Sequence, residues 1–131
     1  MLFRSVQGFK TRFYLYSVPG QVEYNASRKL ILNGVDGIIF VADSDVMRSK
    51  DNIDSLQNMI ENLAEYSLTL DNIPWVLQYN KRDLANAMPI ERMERELNQR
   101  QIPSFEAVAS EGLGVFATLK AISKLILNRL Q

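Results

Sequence analysis

The stretch Tyr79-Asn80-Lys81-Arg82-Asp83 is the point from which the fold of this chain can be worked out. The apolar run Ile73-Pro74-Trp75-Val76-Leu77 directly precedes it and is typical of a short buried strand. The polar stretch therefore follows the carboxyl end of that strand, where open α/β sheets hold their ligands. The sequence predicts a ligand-binding loop at this position.

The residue types in this loop, Asn80-Lys81-x-Asp83, favour a guanine base as the ligand. A carboxylate accepts hydrogen bonds from two adjacent donors, and guanine offers such a pair at its N1–H and exocyclic amino group. Adenine lacks this pair and would leave a desolvated Asp83 unpaired. Asn80 can brace the loop and reach the base edge, and the stem of Lys81 can lie along the ring face. The other interpretation is a solvated polar turn between a strand and a helix.

Length and composition indicate one domain of ordinary globular type. The chain has 131 residues, of which 47% are hydrophobic and 23% charged, enough for a sizeable core. Lysines and arginines number 15 and so do the acids, which gives a net charge of zero. This balance gives no indication of a nucleic-acid-binding tract or a polybasic membrane patch.

The chain contains no cysteine and no histidine. Disulfides, thiolate metal sites, zinc sites of the usual kind and Ser–His–Asp triads are thereby excluded. A bound metal would need oxygen ligands, which favours magnesium. The longest clean apolar run, Ile38 to Ala42, is too short to cross a bilayer, and no secretion signal is visible, so we predict a cytoplasmic protein.

Strand and helix patterns alternate along the chain, which predicts a parallel α/β sheet. The further strands are Phe9–Leu15 with one buried face, Gly37–Asp43 as a central strand covered on both faces, and Ser104–Ala107; Leu2–Val6 could pair antiparallel with the first of these. A helical segment spans residues 22–32 and breaks at Asn33-Gly34. The next helix, capped by Ser44 or Asp45, ends near Tyr66-Ser67.

Apolar stripes at helical spacing predict which helix faces are buried. The stripes are Ile53, Leu56, Ile60 and Leu63; then Ile90, Met93 and Leu97 after Pro89; and finally Phe116, Leu119, Ile122, Ile126 and Leu130 after Gly112 and Gly114.

Taken in order, these signatures resemble the Ras-like small GTPases, and more narrowly the bacterial gliding-motility and polarity GTPases of the MglA type. The likeness covers essentially the whole chain. It is carried by Gly8-Phe9-Lys10-Thr11-Arg12-Phe13, Val18-Pro19-Gly20-Gln21, Tyr24-Asn25-Ala26-Ser27-Arg28-Lys29-Leu30-Ile31-Leu32, Gly34-Val35-Asp36-Gly37, Val41-Ala42-Asp43-Ser44 and Gln78-Tyr79-Asn80-Lys81-Arg82-Asp83-Leu84. It implies a three-layer, mostly parallel sheet of the P-loop NTPase type, with residues 1–131 as the C-terminal portion of one domain.

The resemblance also implies roles by position. Gly20 would place its N–H near the γ-phosphate of GTP, and Gln21 would orient the attacking water. Asn80, Lys81 and Asp83 would bind the base of GTP or GDP. The segment Val108-Ala109-Ser110 would complete the base site, with the Ala109 N–H donating to the guanine carbonyl. A Roadblock-type activating protein would be the partner.

One departure from the family concerns the phosphate loop. None of the six glycines belongs to a G-x-x-x-x-G-K-[ST] motif. The first strand, phosphate loop, first helix and first switch of the family are therefore not found, nor are most of its Mg²⁺ ligands. Phosphate and metal contacts carry most of the catalysis in phosphoryl transfer, so we expect little or no GTP hydrolysis by this polypeptide.

The missing strand would lie between Phe9–Leu15 and Gly37–Asp43, so these strands must pair directly or leave their facing edges unpaired. The sequence is interpreted as a truncated product or a mis-assigned start of an MglA-type GTPase, or else as half of a split protein. Two functions stay open. The first is a GTP-binding switch in motility or cell polarity. The second is an inactive pseudo-GTPase that docks on a Roadblock-type partner.

Overall fold

The computed structural model describes residues 2–6, 9–17 and 25–130, and its strands form two sheets. In the first sheet, β1 (Leu2–Val6) pairs antiparallel with β2 (Phe9–Phe13), in a register that runs from Leu2 opposite Phe13 to Val6 opposite Phe9. The predicted antiparallel pair is confirmed. The strand ends two residues earlier than predicted, and Leu15 is exposed. Residues 7 and 8, which lie between these strands in the sequence, are outside the described residues.

The second sheet is parallel and contains β3 (Ile38–Asp43), β4 (Trp75–Asn80) and β5 (Ser104–Glu106), in that spatial order. β4 lies at its centre and is buried from Trp75 to Tyr79, as expected for a continuous apolar run covered on both faces. The prediction that Gly37–Asp43 is the central strand is wrong for the described part of the chain. There β3 is the edge strand and Val41 is 54% exposed.

The sequence left open whether β2 and β3 pair directly or leave their facing edges unpaired. Within the residues that the structure describes, the two strands are not paired directly, since no ladder of hydrogen bonds joins β2 to β3.

The part of the chain that the structure describes contains four helices: α1 (Asn25–Leu32), α2 (Ser49–Ala64), α3 (Ile90–Leu97) and α4 (Val115–Leu130). Short 3-10 turns precede α2 at Val46–Arg48 and α4 at Ala109–Glu111. Asp45 caps the first of these turns, because its carboxylate accepts a hydrogen bond from the Met47 N–H at 2.9 Å. The predicted α/β alternation is confirmed.

The core has two parts, one on each face of the parallel sheet. Trp75, Leu77 and Tyr79 point to the face that is packed by residues of α2 and α3, such as Leu63 and Met93. Val76 points to the other face because side chains alternate along a strand, and α4 packs against the strands there. This arrangement gives three layers, with the sheet in the middle.

The buried helix faces differ in part from the predicted stripes. Met93 and Leu97 of α3 are buried as predicted, as are Leu63 of α2 and Ile122 of α4. Two stripe residues, Ile53 and Phe116, are instead 42% and 71% exposed. The buried face of α2 includes Asn52, which is 8% exposed.

Asn52 is buried because its side chain bonds the backbone at the end of β3. Its Oδ1 accepts a hydrogen bond from the Asp43 N–H at 3.0 Å, and its Nδ2 donates to the Asp43 carbonyl at 2.8 Å. The amide thus pairs the backbone of the last residue of β3, from which the polar loop continues.

We expect Asn52→Leu to lower the free energy of unfolding by about 1–3 kcal/mol, because it leaves the Asp43 N–H and carbonyl without partners. The measurement is urea unfolding followed by the fluorescence of Trp75, the single tryptophan. Gln57→Leu on the exposed face of α2 is the matched control, with an expected change within about 0.5 kcal/mol. Equal stability of the two variants would contradict this account.

Candidate functional site

The loops that follow β3, β4 and β5 meet at the carboxyl edge of the parallel sheet. The loop after β4 bonds to the loop after β3, since the Met88 N–H donates to the Ser44 carbonyl at 2.7 Å. It also bonds to the end of β5, since the Arg82 N–H donates to the Ala107 carbonyl at 3.1 Å. The edge that the sequence predicted as a ligand site is therefore one connected set of loops.

Asn80 joins the loops after β4 and β5 directly. Its Oδ1 accepts a hydrogen bond from the Ala109 N–H at 2.8 Å, across 29 residues of sequence. The two predicted base-binding segments are thereby in contact, with Asn80 as the brace. The same N–H was predicted to donate to a guanine carbonyl. That role stays a prediction, because here the donor is engaged by Asn80.

The segment Val108-Ala109-Ser110 divides into a buried and an exposed part. Val108 is 8% exposed, and its backbone is paired twice with Leu113, at 3.0 Å through its own N–H and at 3.2 Å through its carbonyl. Ala109 and Ser110 are exposed and lie in the following 3-10 turn. Val108 thus anchors the loop, whereas Ala109 and Ser110 are accessible to a ligand.

Gly114 sets the path of this loop into α4. Its φ is +78°, in the left-handed region that favours glycine, and a Cβ there would overlap the Glu106 carbonyl oxygen. The backbone of the loop therefore lies against the end of β5 with no room for a side chain.

Asp83 is exposed and makes no hydrogen bond or ion pair with any residue in the described part of the chain. A carboxylate without a protein partner at this edge is available to accept hydrogen bonds from a ligand. Its predicted role as the guanine acceptor is consistent with this and stays a prediction.

Lys81 makes a contact that the sequence analysis missed. Its Nζ lies 2.9 Å from Oδ2 of Asp43, the last residue of β3. Partial burial raises the pKa of Asp43, but hydrogen bonds from the Asp45 N–H and from Lys81 more than offset it, so the pKa is lowered overall. Asp43 is therefore a carboxylate at neutral pH. The contact follows from the register of β3 and β4, in which Asp43 lies opposite Asn80, the residue before Lys81. An alignment of the two predicted strands in this register would have placed Lys81 near Asp43.

Arg82, the variable position of the motif, is a second residue that the sequence analysis missed. Its side chain is 18% exposed, and Nη1 donates to the Met88 carbonyl at 2.6 Å while Nε lies 3.2 Å from Glu106. Arg82 thus connects the loop after β4 to β5 and stabilises the site.

The predicted phosphate-side residues Gly20 and Gln21 lie outside the described residues, and their roles stay predictions. Across residues 2–6, 9–17 and 25–130, no three acidic side chains lie close enough together to hold a metal ion. Among the helices that the structure describes, none is both long and apolar enough to cross a membrane.

Comparison with known proteins defines the class to which this fold and site belong. The profile of the ADP-ribosylation factor family matches residues 3–126. The chain therefore belongs to this family of Ras-like small GTPases, and the α/β fold predicted from the resemblance is confirmed.

A particular relative supports the narrower resemblance. The mutual gliding-motility protein MglA of Myxococcus xanthus (strain DK1622) is 59% identical over 126 residues. The match covers 96% of this chain and 65% of the relative, so the chain corresponds to about two thirds of that protein. The predicted similarity to MglA-type proteins is confirmed.

Proposed function

We propose that this chain provides the base-recognition part of a guanine-nucleotide-binding small GTPase. The observation that carries the proposal is the 2.8 Å hydrogen bond between Asn80 and Ala109, which joins the two loops expected to hold the base. An unpaired Asp83 in the same loop supplies the acceptor that guanine requires. Membership of the family supports the same assignment.

The base site fits guanine by the chemistry of its groups. Asp83 would accept from the N1–H and the amino group, while the stem of Lys81 would cover a ring face. Ser110 and the exposed backbone after Val108 would flank the base. Adenine offers no matching pair of donors, so the site should select against it.

For the phosphates we propose Gly20 and Gln21 as the contacting residues, with Gln21 orienting the attacking water. Magnesium, when bound with the nucleotide, would neutralise charge on the phosphates. Because the 131 residues contain no G-x-x-x-x-G-K-[ST] motif, this polypeptide should hydrolyse GTP slowly or not at all.

The wider role is proposed from the relative, whose name assigns it to gliding motility. We propose a cytoplasmic bacterial protein that serves motility or cell polarity, with a Roadblock-type activating protein as partner. The alternative is a pseudo-GTPase that docks on such a partner without catalysis. GTP turnover at the rate of an intact relative would contradict the slow hydrolysis expected here and exclude the pseudo-GTPase.

The nucleotide proposal is tested by titration with GDP that carries a methylanthraniloyl fluorophore, with and without magnesium. We expect saturable binding that unlabelled GDP reverses at least about tenfold more effectively than ADP. Binding should persist without magnesium because the base contacts do not involve the metal. Equal competition by GDP and ADP, or no binding at millimolar nucleotide, would contradict the proposal.

A further inference from the structure

The ion pair between Lys81 and Asp43 joins the loop after β4 to the last residue of β3 at the carboxyl edge of the sheet. Its two residues lie 38 positions apart, yet Nζ and Oδ2 are separated by only 2.9 Å. Asp43 is in register with Asn80 across β3 and β4, so the lysine that follows Asn80 reaches back across the ladder. The pair therefore connects the candidate base loop to the neighbouring strand.

Asp43 is itself held by several contacts. Its Oδ1 accepts a hydrogen bond from the Asp45 N–H at 2.9 Å, and both polar groups of its backbone are bonded by the buried Asn52. Most surface ion pairs lack such support and contribute little. Here the supporting contacts fix the carboxylate in one orientation, as is typical of groups that position a functional side chain.

Lys81 is restrained at both ends. Its φ is +63°, in the left-handed region that residues with a Cβ rarely adopt. Its ammonium group is held by Asp43, so the four methylene groups between these ends have fewer rotamers than a free lysine has. The side chain is nevertheless 54% exposed, so a ligand can reach it.

We propose that Asp43 is a positioning residue for the nucleotide: it holds the Lys81 ammonium group so that the lysine stem is presented to the face of the guanine ring. This inference rests on the proposed function. A stem that is ordered before the ligand arrives loses less entropy on binding, which increases affinity. Asp43 acts through Lys81 and does not touch the nucleotide.

A double-mutant cycle on the full chain tests the proposal, with fluorescent GDP as the probe. Asp43→Asn is expected to raise the Kd about three- to tenfold, and Lys81→Met at least as much. The double variant should bind within about twofold of Lys81→Met, because Asp43 acts only through this lysine. If the fold-increases in Kd of the two single variants multiplied in the double variant, the proposal would be overturned.

Matched variants separate positioning from a general effect of charge or folding. Asp54→Asn removes an equally short pair with Lys50 on α2 and should leave the Kd unchanged. Asp43→Glu keeps the charge and should bind within about threefold of the wild type. If Asp43→Glu bound GDP as weakly as Asp43→Asn, the proposal would be overturned. A wild-type chain that binds no GDP overturns the proposed function as well, whereas equal binding by wild type and Asp43→Asn overturns this inference alone.

Discussion

Gly114→Ala is expected to lower the free energy of unfolding by about 2–5 kcal/mol, which is among the largest effects of a single methyl group in this chain. The alanine would occupy a left-handed conformation, and its Cβ would overlap the Glu106 carbonyl oxygen and lie 2.9 Å from Cα of Ala107. Both contacts are backbone atoms at the end of β5 and cannot rotate away. The loop that carries Ala109 and Ser110 would have to shift.

Gly112→Ala is the matched control for this prediction. Gly112 has nearly the same φ, +74°, but a Cβ there would meet nothing within 4 Å. Its cost should be limited to the left-handed conformation, about 1–2 kcal/mol. Urea unfolding followed by Trp75 fluorescence measures both variants. Equal losses of stability would show that conformation alone, and not the close approach to β5, explains the requirement for glycine.

Asp83→Asn is expected to lower the affinity for GDP about 10- to 100-fold and to reverse the preference between GDP and xanthosine diphosphate. The carboxylate accepts from both donors of guanine. A carboxamide would instead turn a donor toward the guanine amino group. Xanthine carries a carbonyl at that position, so the same amide donor would pair with it. The measurement is competition of both diphosphates against fluorescent GDP.

Asp71→Asn is the control for this exchange. Asp71 is exposed and precedes β4, so it lies at the opposite end of the strand from Asp83. The same chemical change there should leave both affinities unchanged. If Asp83→Asn retained the wild-type preference for GDP, Asp83 would not be the group that reads the base edge.

Much of the fold followed from patterns that depend on local physics. The apolar run Ile73-Pro74-Trp75-Val76-Leu77 predicted a buried strand, and the spacing of Met93 and Leu97 predicted the buried face of α3. The motif Asn80-Lys81-x-Asp83 was predicted to follow a strand, and it begins at Asn80, the last residue of β4. The contact between Asn80 and Ala109 agrees with the predicted convergence of two loops.

The features that escaped prediction depend on partners distant in sequence. Hydrophobic spacing placed Ile53 in the core, but the backbone of Asp43 offers hydrogen bonds that turn the neighbouring Asn52 inward. A pattern of apolar residues does not record such a polar partner. Arg82 occupies the variable position of its motif, and its tie to Glu106 and Met88 depends on how β5 and the loop before α3 are placed.

Trp75 and Asn80 are the first and last residues of the same strand, so the tryptophan lies at the opposite end of β4 from the proposed base site. Five steps of about 3.3 Å put the backbone of Trp75 roughly 16 Å from that of Asn80. With 3% exposure, the Trp75 emission should report collapse of the surrounding layers and stay constant when a purine occupies the far end. Nucleotide binding can then be measured without a label, as a rise in the melting temperature followed by Trp75 fluorescence. The fluorescence of the folded protein should be the same with and without the ligand.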